Sequence, residues 1–351
     1  MKPLKYLFIS SMLFVATSCG NSWLDLEPST SVDTETSIKI LSDVEFTLNG
    51  IYSTMQSSDA YSGRLVYYGD VTGDDMQAVS STKRVANYYR FNFTKDDNPS
   101  SHWSYLYSII QNCNLILMNI DKLVIDEDDK AYRDDLKGEA LAIRGLALFD
   151  LTRIFGYPYL KDNGASLGVP IIEGLSTIDS KPTRNTVAQC YTKIIDDLTQ
   201  SLSLLGEKFN KGKINKWGAM VLLSRVYLYK GENANALKMA SDAITGAEKN
   251  KYALWTNEDY PTAWGEDASA SKPGEVLFEI VNLTTDSPGK ESMGYLNSYD
   301  GYDDMCITCS FYQFLKEDPK DIRLKLLSFD KKYYAYVNKY QPQREIGRAH
   351  V

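Results

Sequence analysis

A chain of 351 residues, 43% hydrophobic and 24% charged, has the composition of a globular protein with room for one large or two ordinary domains. Its net charge of −8 argues against nucleic-acid binding, which relies on a surplus of lysine and arginine. With His102 and His350 as the only histidines, a multi-histidine metal centre is excluded, and a histidine-based nucleophile relay has little to draw on.

The first 18 residues read as a targeting segment. Lys2 and Lys5 form its basic start, Leu7 to Val15 its apolar core, and Ala16-Thr17-Ser18 a small-residue cleavage site. The apolar run is too short to be retained as a membrane-spanning helix. Cleavage just before Cys19 is the lipoprotein arrangement, which makes Cys19 the acylated N-terminus. Ala16 stands where a bulky leucine is usual, and an ordinary signal peptide followed by an incidental cysteine is the plainer alternative. Residues 19–41 are polar and read as an extended tether, with Trp23, Leu24, Asp25 and Pro28 near its start.

Ser42-Asp43-Val44-Glu45 predicts a capping box, and Val44, Leu48, Ile51 and Met55 give the helix that follows an apolar face. Residues 60–98 lack periodicity and read as a long irregular region rich in tyrosine. Asp70, Asp74 and Asp75 cluster within it, a weak calcium candidate against the commoner reading of solvated, helix-capping acids. Pro99 opens a helix whose apolar positions run Trp103, Leu106, Ile110, Cys113, Leu117 and Ile120. Asp126 to Asp129 reads as a solvated acidic turn.

Gly138 to Tyr159 carries the strongest helical pattern. Leu141, Leu148, Leu151 and Phe155 line one face, and Ala140, Ala142, Gly145 and Ala147 allow a second helix to approach closely. Gly156 is expected as a left-handed stop and Pro158 as a bar to resumption. Residues 164–184 read as a loop holding a short strand, Val169 to Ile172, and Thr186 with Gln189 predicts the cap of a helix to Leu205. Asn215 to Lys249 reads as a helical hairpin turned at Gly231, with Ser224, Tyr227, Ala236, Ala240 and Ala243 at the positions of a tetratricopeptide unit. One such unit cannot bury its own face, so neighbouring helix pairs must stack on it.

Beyond Ala247 the pattern changes. Glu275 to Ile280 reads as a strand, residues 286–304 as a loop with Tyr295, Tyr299 and Tyr302, and Ser310 to Leu315 as a short helix. Cys113 and Cys190 fall on apolar faces, while Cys306 and Cys309 have C-x-x-C spacing without a second pair, which leaves a local disulfide or two thiols. Glu345 to Val351, EIGRAHV, matches the translation of a sequencing-library adapter. The expectation is that 345–351 is foreign and the native chain continues past Arg344.

The string Glu139, Ala140, Ala142, Arg144, Phe149, Leu151, Phe155, Gly156 and Pro158 resembles the signature helix of the SusD/RagB family. Trp23-Leu24-Asp25 with Pro28, Asn49-Gly50-Ile51-Tyr52, Glu275 to Ile280 and Asp321-Ile322-Arg323 follow the family's order. The resemblance implies a mostly α fold: a scaffold of tetratricopeptide-type helix pairs with a loop-rich ligand-binding region, one domain over 42–344, incomplete at its C-terminus. It also implies a lipid-anchored protein at the Gram-negative outer-membrane surface, which binds glycan and delivers it to a SusC-like TonB-dependent transporter.

No phosphate-cradling glycine loop, nucleophile elbow or metalloprotease motif is present, so binding without catalysis or cofactor is the simpler expectation. Tyrosine suits sugars because its ring meets the apolar C–H face of a pyranose while its hydroxyl bonds ring hydroxyls. Loop aromatics braced by helices make a preorganised platform, and the candidates are Tyr88, Tyr89, Tyr295, Tyr299 and Tyr302. A peptide-binding member of the same family, a tetratricopeptide adaptor and a hydrolase remain as alternatives.

Overall fold

The computed structural model describes residues 37–94, 100–177, 179–264, 274–282, 289–330, 332, 334–339 and 348–350. The signal-peptide segment, Cys19 and most of the tether lie outside them. The chain divides into Met1–Lys39, of which 37–39 is described and irregular, and Ile40–Val351, which holds the elements below.

The helices of the scaffold are α1 (Leu41–Met55), α4 (Ser100–Asn119), α5 (Lys130–Phe155), α6 (Val187–Leu204), α7 (Lys216–Lys230) and α8 (Asn233–Lys249). Between α1 and α4 lie α2 (Arg64–Thr72), β1 (Met76–Ala78) and α3 (Ala86–Tyr89). The expectation of an irregular 60–98 is therefore corrected, because Tyr67 and Val71 fall one turn apart and bury a face of α2. After α8 come α9 (Tyr260–Ala263), β2 (Glu279–Val281), α10 (Met293–Leu296), β3 (Met305–Ile307), α11 (Cys309–Leu315), β4 (Leu327–Phe329), β5 (Ala335–Val337) and β6 (Arg348–His350).

Helix α5 is the hub. It packs on α4 and α6, and nearly every residue from Gly138 to Thr152 is buried. A Cβ on Gly145 would meet Leu198 of α6 at 3.0 Å, so the small residue sets the helix spacing. Arg144 crosses the interface buried. Its Nε and Nη2 donate to the two oxygens of Asp197 on α6 at 2.8 and 2.7 Å, and Nη1 donates to Asn114 Oδ1 on α4 at 2.8 Å. Asn114 in turn donates to the carbonyls of Ile172 and Gly174, tying down the loop before α6. A buried charge stays buried only when paired and fully bonded in this way. Glu139, five residues earlier, has a different partner, accepting from the Tyr52 hydroxyl of α1 at 2.6 Å.

Several local expectations are corrected by where the backbone groups go. Helix α1 starts at Leu41, and only half a box forms, with the Asp43 carboxylate accepting the Ile40 N–H at 3.0 Å. Gly156 ends α5 in an extended conformation (φ −105°, ψ 179°). Its need is room, since a Cβ there would lie 2.6 Å from the Thr152 carbonyl oxygen. Residues 169–172 form no strand, because Asn185 and Asn114 side chains take the Ile171 N–H and the Ile172 carbonyl. The strand expected over Glu275 to Ile280 shortens to β2.

Other local expectations hold. Thr186 and Gln189 cap α6 reciprocally. Helices α7 and α8 form the hairpin, with Gly231 left-handed at φ +83°. Trp217, Met220, Ala243, Ala247 and Tyr252 make the core beneath it.

Among the described residues three small antiparallel pairs form: β1 with β3, β2 with β6, and β4 with β5. Within the suspected adapter segment, 348–350 supplies β6, and backbone pairing of that kind places no demand on side-chain identity. Cys113, Cys190 and Cys306 are buried and Cys309 is exposed. All four are free thiols, so the C-x-x-C pair makes no disulfide.

Candidate functional site: a polar cleft beside the aromatic segments

The two tyrosine-rich segments, distant in sequence, meet in space. Strand β1 pairs with β3 in the register Met76↔Ile307, Gln77↔Cys306 and Ala78↔Met305. Beneath them Tyr67, Val71, Met76, Val85 and Tyr88 of the first segment share one core with Met293, Leu296 and Met305 of the second. This apolar contact fixes the loops against each other and gives the exposed rings above a rigid base.

The five candidate tyrosines separate into four groups. Tyr88 belongs to the core, packed edge-on to Tyr68 with ring centroids 5.5 Å apart. Tyr295 and Tyr302 make a T-shaped pair at 5.1 Å, and the Arg84 guanidinium lies 4.2 Å from the Tyr302 ring centre. Tyr299 is 48% exposed and tilted against Tyr336 at 6.2 Å. Tyr89 is partly exposed at the end of α3, and among the described residues no ring contact joins it to the other four.

A cleft of about 450 Å³ opens beside these rings, lined by Arg64, Thr82, Lys83, Arg84, Asn87 and Tyr88 among others. Its cations are matched by carboxylates. Arg64 pairs with Asp59, Lys83 with Asp303, and Arg84 with both Glu291 and Asp304. Burial works against the Arg84 charge, and the bonds to Asp304 and Glu291 more than offset it, so its pKa is raised. Lys83 also donates to the Tyr302 carbonyl at 2.6 Å. The result is a hydroxyl-, amide- and guanidinium-lined surface with little net charge, suited to hydrogen-bonding neutral polyols.

The sequence reading missed several members. Phe91 is 62% exposed and holds φ +54°, a left-handed conformation that costs a bulky residue energy and so marks a constrained position. Phe93 packs on Tyr68 and Tyr88, exposed on its other side. Both stand in the same aromatic run as Tyr88 and Tyr89, a signal available in the sequence. The basic pair Lys83-Arg84 gave no such signal, since its carboxylate partners lie some 220 residues away.

Asp70, Asp74 and Asp75 do not assemble a cation site. Among the described residues no group of three or more acidic, histidine or cysteine side chains is placed to hold a metal ion. Burial first, and then the charge of Asp75, raise the pKa of Asp70. The carbonyls of Asp74 and Asp75 accept the Thr308 hydroxyl and N–H instead. His102 is buried, edge-on to Tyr68, and burial lowers its pKa to about 4, so it is neutral near pH 7.

No helix among the described residues is long and apolar enough to cross a membrane. Comparison with known proteins identifies relatives along most of the chain. The SusD-like_3 family model, described as starch-binding associating with outer membrane, matches residues 22–228. SusD-like protein P2 of Formosa agariphila is 28% identical over 313 residues, which are 86% of this chain and 57% of that protein. The chain thus spans little more than half the length of that relative.

A crystal structure of a Bacteroides vulgatus ATCC 8482 protein is 83% identical with a TM-score of 0.85, covering 88% of this chain and 69% of that one. A second structure from that strain, a SusD superfamily protein, is 36% identical with a TM-score of 0.80, over 86% and 69%. On these matches and on its helical architecture, the chain belongs to the SusD/RagB family.

Proposed function

We propose that the protein binds glycan in the polar cleft whose Lys83 and Arg84 reach the second aromatic segment, with Tyr295, Tyr299 and Tyr302 as stacking surfaces beside it and Tyr89, Phe91 and Phe93 at its edge. It acts as a binding protein and not as an enzyme, anchored at the outer-membrane surface through an acylated Cys19. There it passes oligosaccharide to a SusC-like TonB-dependent transporter. The observation that carries this reading is the meeting of exposed rings and a charge-matched polar cleft on one rigid base. Sugars need that combination, because each pyranose offers an apolar face and a rim of hydroxyls. Tyr88, largely buried, forms part of the cleft wall, and the more exposed tyrosines beside it offer the stacking faces.

Calorimetric titration of the purified protein against a panel of neutral glycans and peptides tests the reading. Saturable binding of a glycan, without release of products on long incubation, supports it. Binding confined to peptides, or cleavage of the glycan, defeats it. For the anchor, mass analysis of the protein from its native host is expected to show acyl chains on Cys19, and Cys19→Ala to release it from membranes. A soluble wild-type protein with an unmodified N-terminus contradicts the anchor alone.

A further inference from the structure

On the other side of α2 a second, smaller cleft of about 270 Å³ is lined by Tyr61, Tyr68, Gly69, Asp150, Arg153 and Arg225, with aliphatic side chains between them. It joins the scaffold to the aromatic region, since Asp150 and Arg153 stand on α5, Arg225 on α7 and Tyr68 on α2. Its charge balance differs from that of the first cleft. Asp150, buried, accepts the Tyr61 hydroxyl at 2.8 Å and is paired with Arg153. Among the described residues Arg225 forms no ion pair with a carboxylate, and of the residues lining the cleft Asp150 alone is acidic.

Of the two guanidiniums lining the cleft, Arg153 is the one ion-paired to its carboxylate. Arg153 lies 4.9 Å and Arg225 5.9 Å from the centre of the same ring, Phe149, so both cations gather on one aromatic side chain. Arg225 Nε is buried and has no hydrogen-bond partner among the described residues. A buried donor atom without a protein partner is costly and calls for a partner from outside the chain, a water, an ion or a ligand. A guanidinium presents a planar fork that matches an oxyanion in two-point contact. All this occurs in a chain whose overall charge is −8, so the local excess of positive charge is not a by-product of composition.

We propose that this cleft binds the oxyanion of an acidic saccharide, a carboxylate or a sulfate, with Arg225 as the primary donor, Arg153 as the second cation and Tyr68 against the sugar ring. The cleft has room for one charged sugar residue and not for an extended chain. The proposal rests on the glycan-binding reading for the identity of the molecule that carries the anion. It extends that reading from neutral to acidic glycans and places the charged group away from the Tyr302 cleft.

Arginine side-chain Nε–H resonances of the full protein test this directly. The Arg225 signal is assigned as the one lost in Arg225→Gln, with sodium chloride at equal ionic strength as baseline. D-glucuronate, sodium sulfate or both are expected to shift that signal saturably, and D-glucose to leave it in place. Arg225→Gln is expected to weaken calorimetric affinity for the effective anion at least about tenfold, the loss of a charge-assisted pair, without a fall in melting temperature. A response to glucuronate supports a carboxylated sugar, and one to sulfate alone supports a sulfated one. No saturable shift with either anion, or an equal shift with glucose, overturns the proposal. Tyr302→Ala separates it from the glycan reading. The anion response survives that change if the two clefts are distinct, and it persists even if no neutral glycan binds the wild-type protein.

Discussion

In the scaffold, α5 meets its neighbours through positions that recur every three or four residues, and one buried arginine joins three helices. The aromatic face is assembled otherwise. Its core takes Met76 and Tyr88 from one end of the described chain and Met293 and Met305 from the other, and its ion pairs span as many as 220 positions. The scaffold is thus stabilised by local periodicity and dense packing, and the face by a few contacts between distant segments. Regions of the second kind lose their structure when any one of those contacts is removed.

The largest expected effect falls on the scaffold. Arg144→Ala removes the two-point partner of buried Asp197 and leaves it only Lys193, 3.3 Å away, and a loss of about 3 kcal/mol in unfolding free energy is expected. Thermal or urea unfolding measures it. If the protein remains folded at the assay temperature, glycan affinity is expected to change little. Lost binding with an unchanged melting temperature makes Arg144 a ligand residue and breaks the division between scaffold and face.

Tyr88→Ala sharpens that division. Truncating a buried ring is expected to cost about 3 kcal/mol. The cost is expected to appear locally, as faster amide exchange in α2, α10 and β3 while α5 and α6 stay protected. Uniform acceleration through both regions means that they unfold as one unit.

A pH effect separates the regions further. Burial raises the Glu139 carboxyl to about 7, with Lys213 and the Tyr52 hydroxyl acting against it. The folded state then holds a proton that the unfolded chain releases near pH 4.5. The Glu139 contribution is present below pH 4.5 and is lost as the pH rises toward 7, by at most about 1.4 kcal/mol per pH unit. Glu139→Gln is expected to flatten that segment of the stability profile, read from urea unfolding between pH 5 and pH 8. A variant profile parallel to that of the wild type shows Glu139 to be ionised throughout. The smallest effect belongs to the face: Tyr302→Ala is expected to weaken glycan binding by about 1 kcal/mol, several-fold, with unchanged melting.

The same division explains what could be read from sequence. The α5 helix, the Thr186 cap and the Gly231 hairpin were legible because spacing within a few residues determines each of them. The tetratricopeptide alanines on α8 were legible for the same reason. Helices α2 and α3 were not, since short helices need the second aromatic segment to bury their faces and carry too few turns to show a period. In sequence Tyr88 and Tyr302 are both loop-region tyrosines without helical spacing around them. Only the pairing of β1 with β3 sends the first into a core and leaves the second exposed over Arg84. The Arg225 cleft was invisible for a similar reason, because an unpaired arginine is defined by what is absent around it.

The most direct test of the central claim is a crystal structure with the glycan that calorimetry selects from the panel. The account predicts a pyranose face against Tyr302 or Tyr299, with sugar hydroxyls bonded to Asn87, Thr82 or Arg84 in the larger cleft. Sugar density elsewhere, for instance beside Trp255, with the Tyr302 cleft holding only solvent, would contradict it.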